Sequence, residues 1–372
     1  MTYNRVYYKS IKQLRRSKMA SLIIVLILLY VILLNYRYWN EELTESDKNN
    51  DAEPKKKLKR LPQVIGIGVK KCGTGALKSF LGFHPKVEIY TANQGEAHFF
   101  DVDENFERGP ALYRLEMPFT DADQITFEKT PKYFTTPAVG ERIKYFYDKV
   151  KEPIKLVVIF CEPAARAYSE YMHITEHGGD VFALVRKLAS FGSFENYVAM
   201  ALDIFYRASI AEPNSADLYG FANFADLVVN IKNSRELSKF SIISDGFYSI
   251  HLNEWLKSFK ASDFHFMNGD LFMEGPAPEM RRLTKFLGVD DVFQASNFTM
   301  DEERGFFCLK GENEEEGARC APEKKGRTRS LTIDGKVTSD VDPGTLMQLK
   351  ELYSEYNKDL NRLTELGFNW NN

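Results

Sequence analysis

The chain has four cysteines in 372 residues, too few for a fold built on disulfides. It contains no internal repeat and no low-complexity tract, which excludes solenoid architectures. It has no positive net charge: −3 overall, and because the first 18 residues carry +6, the remainder carries −9. That balance argues against a general polyanion-coating protein, and any polyanion would have to be bound by local basic clusters. The chain also lacks the Gly-Lys-Ser/Thr that nucleotide triphosphatases place after a four-residue gap to bind magnesium. No clustered ligand set suited to a metal is present.

What it does have is GVKKCGTGALKSF at residues 68–80, directly after the β-branched run Val64-Ile65-Gly66-Ile67. A strand entering a loop of lysines, glycines and a threonine, then opening a helix, is a cradle for a phosphate-type anion. Backbone N–H groups and the helix N-terminus point at the anion, and lysines add charge.

From Met19 to Leu34 no residue is charged, and Tyr30, Tyr36, Tyr38 and Trp39 lie in or just after this run. The span 19–39 approaches the ~20 residues that cross a bilayer, and Arg5, Lys9, Lys12, Arg15, Arg16 and Lys18 precede it. This pattern predicts a cytoplasmic tail at 1–18 and a transmembrane signal-anchor at 19–39, with the rest luminal or extracellular. A cleaved signal peptide is the alternative, although no small-x-small site follows. Residues 40–61 are polar and read as a luminal stem. Residues 62–372 are long enough for one α/β domain.

Cys308 and Cys320 lie 12 apart and suit a loop-closing bridge, a link that contributes about 3 kcal/mol. Cys72 and Cys161 read as free thiols. Asn297-Phe298-Thr299 is the one glycosylation sequon. Strands are expected at Val64–Val69, Ile154–Phe160, Phe240–Ile243 and Phe264–Met267. Helices are expected at Ala76–Leu81, after Cys161-Glu162-Pro163, at Pro276–Leu287 and at Leu346–Leu366. Alternating strands and helices predict a central parallel sheet with helices on both faces, a P-loop-like three-layer sandwich preceded by one transmembrane helix. Ligands gather at the carboxyl ends of such strands, where both 70–76 and 161–169 fall.

Four blocks in order carry a resemblance: GVKKCGTGALKSFLGFHP (68–85), EAHFFD (96–101), EKTPKYF (128–134) and CEPAARAYSEY (161–171), supported by GFFC (305–308), RC (319–320) and KKGR (324–327). Over residues 62–372 the chain resembles the heparan sulfate sulfotransferases, most of all the glucosaminyl 3-O-sulfotransferase branch. The branch choice rests on EAHFFD, since N-sulfotransferases tend to carry glutamine where this chain has His98. The resemblance implies a Golgi membrane protein, single-pass type II with a luminal sulfotransferase domain. It implies 3′-phosphoadenosine 5′-phosphosulfate (PAPS) as donor, no metal, and the heparan sulfate chains of proteoglycans as partner, with no nucleic acid.

The resemblance also implies roles. Lys71, Cys72, Gly73, Thr74, Gly75 and Ala76 would hold the donor's 5′-phosphosulfate, with Lys71 neutralising charge as the sulfuryl group leaves. Cys161, Arg166 and Ser169 would meet its 3′-phosphate, and Phe307, Lys325, Gly326 and Arg327 would close over the nucleotide. Glu96 would be the general base that takes the acceptor hydroxyl's proton, and His98 would orient it. Asp101 would organise the site, Lys129 would reach the sulfuryl group or a substrate carboxylate, and Arg319 would contact substrate. Two positions depart from the family pattern: Cys161 and Gly75 stand where relatives usually carry arginine. The rival readings are a sulfotransferase for another acceptor, a weakly catalytic glycan-binding protein, and a phosphate-donor enzyme such as a kinase.

Overall fold

The computed structural model describes residues 57–177, 182–302, 305–310, 318, 320 and 341–370, and residues 57–372 form a compact unit. A two-residue strand β1 (Leu58–Lys59) leads into β2 (Val64–Gly68), which turns into helix α1 (Thr74–Leu81). Strand β3 (Val87–Ile89), helix α2 (Gly109–Glu116), β4 (Phe119–Thr120) and β5 (Ile125–Lys129) follow. Next come α3 (Val139–Val150), β6 (Lys155–Phe160) and α4 (Pro163–His177). The chain continues through α5 (Phe194–Ser209), α6 (Tyr248–Leu256), β7 (Phe264–Asn268) and α7 (Pro276–Leu287). It ends with a hairpin, β8 (Phe298–Asp301) and β9 (Phe306–Leu309), and α8 (Pro343–Thr364).

Five strands form one sheet in the order β3-β5-β2-β6-β7, and every neighbouring pair is parallel. All five residues of β2 and all but the first of β6 are buried. Strands that read as continuous apolar runs and are buried throughout need cover on both faces. The order reverses around β2: the chain first moves out to β3 and β5, then crosses to β6 and β7. A crevice opens beyond the strand ends at such a point.

Helix α7 begins at proline and ends at Gly288, whose φ of 80° is the left-handed stop that glycine adopts without penalty. The expected strand at Phe240–Ile243 is corrected: Ser238–Phe240 is a 3-10 turn and Ser241–Ser244 is helical. A run as short as Phe240-Ser241-Ile242-Ile243 fits a buried helical turn as well as a strand. The residues pack in a second apolar cluster, built from α4, α5 and α8 and set apart from the sheet core.

Among the described residues no helix is long and apolar enough to cross a membrane. On that finding the expected Golgi-membrane, type II location is corrected, and the segments 1–18, 19–39 and most of 40–61 lie outside the described residues. Cys308 and Cys320 are joined, as their spacing suggests. Cys72 and Cys161 are corrected from free thiols to a second disulfide spanning 89 residues of sequence. The pairing follows from topology, because Cys72 lies in the loop after β2, Cys161 directly after β6, and the two strands are hydrogen-bonded neighbours.

Candidate active site

Strand β2 delivers the loop 69–73 to the carboxyl edge of the sheet. Gly73 caps α1 with φ 92°, and no side chain caps that helix. Its first-turn N–H groups are therefore left for a ligand. Lys71 also sits in the left-handed region, at φ 75°, an uncommon conformation for a residue with a side chain. Burial lowers its pKa, and it makes no ion pair among the described residues. Lys70 differs: its ammonium lies 3.0 Å from Glu170, whose charge raises the lysine's pKa. The loop thus offers one uncommitted lysine beside an open helix start. Cys72, Gly73, Thr74, Gly75 and Ala76 fall within this turn.

Next to β2, strand β5 ends at Lys129, which pairs in register with Gly66. Its side chain is almost fully buried, and its Nζ lies 2.6 Å from Glu96 Oε1. His98 Nε2 is 3.5 Å from the other Glu96 oxygen, and His98 Nδ1 is 2.9 Å from Asp101. Asp101 is enclosed, with Lys132 at 3.6 Å. The structure therefore brings Glu96, His98, Asp101 and Lys129 together at the end of the strand beside the anion loop. Lys78 of α1 ties the two halves by donating to the Gly95 carbonyl at 3.3 Å.

Electrostatics fix the protonation states. Burial opposes charge on Glu96, but hydrogen bonding from His98 and the charge of Lys129 outweigh it and hold Glu96 at about 2. Hydrogen bonds to Asp101 and Glu96 push His98 up to about 9. At neutral pH the imidazolium donates from both nitrogens, and Glu96 is ionised between two cations.

The start of α4 is a different environment. Arg166 has no solvent exposure at its side chain; its guanidinium donates to Glu170 and to the Ile242 carbonyl. The guanidinium expected at the donor's 3′-phosphate is here held in a buried pairing, as a buried charge requires. Cys161, expected at the same phosphate, is bonded to Cys72. The Glu162 carboxylate accepts from the N–H groups of Ala164 and Ala165, at 2.9 and 2.7 Å, and so occupies the helix start. Ser169 is half-buried on α4. Of the remaining expected residues, Phe307 is half-buried in β9, while Arg319, Lys325, Gly326 and Arg327 lie outside the described residues. Asn297 is exposed, with its side-chain oxygen accepting from the Gln294 N–H at 2.7 Å.

Sequence reasoning missed how the catalytic segment is held. Thr130 Oγ1 accepts from the N–H groups of Ala97 and His98, at 3.1 and 3.3 Å. Tyr133 OH accepts from those of Phe99 and Phe100, at 2.8 and 3.3 Å. The EKTPKYF block is thus the receptacle of the EAHFFD block. The available signal was the two-residue alternation of Glu128 and Thr130 about Lys129 in a strand. Asp301 approaches Cys308 and Cys320, but their sulfurs are bonded to each other, so the trio offers no thiolate to a metal.

A sequence model described as "Sulfotransferase domain" matches residues 61–361. Heparan sulfate glucosamine 3-O-sulfotransferase 5 of Mus musculus is 33% identical over 316 residues, covering 84% of this chain and 75% of that protein. Its Homo sapiens namesake is 32% identical over 335 residues, covering 88% and 80%. Heparan sulfate glucosamine 3-O-sulfotransferase 3B1 of Mus musculus is 32% identical over 314 residues, covering 84% and 65%. The crystal structure of a sulfotransferase from Alicyclobacillus acidocaldarius superposes with a TM-score of 0.53 at 17% identity, covering 84% of this chain and 100% of that one. With an open anion loop at the sheet's reversal point and a carboxylate–imidazolium–lysine cluster beside it, the chain belongs to the sulfotransferase family and is related to the heparan sulfate glucosamine 3-O-sulfotransferases.

Proposed function

We propose that the protein transfers a sulfuryl group from PAPS to the 3-hydroxyl of glucosamine in heparan sulfate, with Glu96 as general base. The observation that carries this reading is the Glu96–Lys129 contact of 2.6 Å at the end of β5, the strand that flanks the anion loop of β2. The relatives' names supply the acceptor and its position.

The donor fits the loop on two counts: the start of α1 has no side-chain cap, and Lys71 is uncommitted. When bound, the donor supplies an activated sulfuryl group. The N–H groups of residues 73–76 and the Lys71 ammonium hold its 5′-phosphosulfate, and Lys71 balances the charge that develops on the leaving oxygen. Ser169 and Phe307 remain proposed donor contacts.

At about 2, resting Glu96 is ionised but a weak base. His98 and Lys129 together hold it there, so a turn of Lys129 towards the sulfuryl oxygens raises the basicity of Glu96 as the acceptor arrives. Glu96 then takes the hydroxyl proton while the new S–O bond forms, a contribution of roughly 10²–10⁴-fold. The His98 imidazolium, tied to Asp101, keeps Glu96 oriented.

The test is sulfate incorporation from labelled PAPS into heparan sulfate, with disaccharide mapping of the product. Wild type is expected to label glucosamine at the 3-position, and Glu96→Gln to lose at least a hundredfold in kcat. Equal incorporation by both removes Glu96 as the base. A second reading, a weakly catalytic glycan-binding protein, is favoured by one observation: Arg166 and Cys161 are both committed elsewhere. Wild type that binds heparan sulfate without incorporating label selects it.

A further inference from the structure

Glu128 precedes Lys129 in β5 but points to the opposite side of the sheet. It has no solvent exposure. The Thr130 hydroxyl donates to its Oε1, and Tyr113 OH lies 3.4 Å from its Oε2. A hydroxyl has one proton and two acceptor sites. With the Thr130 proton committed to Glu128, the lone pairs are aimed at the N–H groups of Ala97 and His98. Those two peptides set the direction of the Glu96 and His98 side chains. The hold is demanding, because His98 has φ 48°, a conformation that a residue with a side chain keeps only when its surroundings enforce it.

We propose that Glu128 is a positioning residue for sulfuryl transfer: a carboxylate that never meets substrate, yet fixes the Thr130 hydroxyl and through it the backbone that carries Glu96 and His98. This rests on the functional reading above and adds a part to it. A buried carboxylate is costly unless it is hydrogen-bonded, and a neutral side chain of similar shape would be the cheaper filling. A charged acceptor binds a hydroxyl about twice as strongly as a neutral one.

The charge on Glu128 responds to pH. Burial pushes its pKa up to about 7, against the hydrogen bonds from Thr130 and the Ala97 N–H. The titratable groups around it are Tyr90, Tyr113, Tyr133, Tyr147, Asp101 and Lys129. The four tyrosines are all raised above their ordinary value, so none of them titrates near neutrality. Glu96 titrates at about 2 and His98 at about 9. A rise in kcat/KM through pH 7, which reports the groups of the free protein, is therefore assigned to ionisation of Glu128, which strengthens its grip on Thr130.

The experiment measures kcat and donor KM of the full chain from pH 6 to 8, for wild type, Glu128→Gln, Thr130→Val and Thr130→Ser. Melting temperatures establish that each is folded. Misplacing a reacting group by about 1 Å can cost on the order of 10²-fold. The expected result is a roughly tenfold or greater loss of kcat in Glu128→Gln with little change in donor KM. The pH-dependent rise through 7 should also disappear. Thr130→Val should show the same loss, and Thr130→Ser, which keeps the hydroxyl, should recover most of it. An active wild type with Glu128→Gln unaltered in both kcat and pH profile overturns the assignment of Glu128 alone. The same holds if Glu128→Gln proves unfolded while Thr130→Val retains full kcat. A wild type that transfers no sulfate overturns the functional reading, and this assignment with it.

Discussion

Helices α1 and α4 both start at the carboxyl ends of adjacent parallel strands, β2 and β6, and both sequences place a basic residue near the start. In α1 the first turn has no side-chain cap and Lys71 stands uncommitted beside it. In α4 a carboxylate from Glu162 fills the first turn, a disulfide holds the preceding residue, and Arg166 is folded inward against Glu170. Two similar sequence patterns thus yield one anion site and one anchor. Glycine and a local cap do not make the difference alone; what matters is which neighbours have already claimed the polar groups.

The comparison is most strongly broken by removing the anchor's central charge. Arg166→Ala leaves Glu170 buried with one cation fewer and is expected to cost about 3–5 kcal/mol of stability, read from the denaturant midpoint. A stable, fully folded variant that had lost only donor binding would restore the phosphate role. Lys71→Ala should do the reverse, with a loss of about 3–4 kcal/mol in transition-state stabilisation and an unchanged midpoint, read as kcat against stability. The paired change Cys72→Ser with Cys161→Ser should lower stability by about 2–4 kcal/mol, because it frees a long loop in the unfolded chain. Its effect on kcat should be smaller than that of Lys71→Ala. The least effect belongs to Glu162→Ala, where losing the cap costs about 1 kcal/mol, measured by thermal unfolding. If it instead raised affinity for inorganic phosphate as much as Lys71→Ala lowers it, the distinction between the two helix starts would fail.

Parts of this were legible before the fold was known. The β2 run and the loop after it read as an anion cradle because apolar β-branched residues give way abruptly to lysine and glycine. Helix α7 was legible at both ends from Pro276 and Gly288. Strand β5 was not, because Glu128 and Lys129 are charged residues inside a buried strand, and a charge in the interior hides the pattern that marks a strand. The Cys72–Cys161 link joins residues 89 apart and follows only from β2 lying beside β6. The burial of Arg166 was not legible, because a helix position does not tell which face turns inward. Its i,i+4 partner Glu170 was the clue, and the buried pairing gave it meaning. Glu96, His98 and Asp101 come from one stretch and Lys129 from another, and no spacing discloses the Thr130 and Tyr133 hydroxyls that hold the backbone of the first stretch beside the second.

A crystal structure of the protein with adenosine 3′,5′-bisphosphate tests the central claim most directly. The account predicts the 5′-phosphate on the N–H groups of residues 73–76 with Lys71 turned towards it, and Glu162 still capping α4. A phosphate seated on Ala164 and Ala165 with Glu162 displaced, or a nucleotide bound away from the β2 loop, would contradict it.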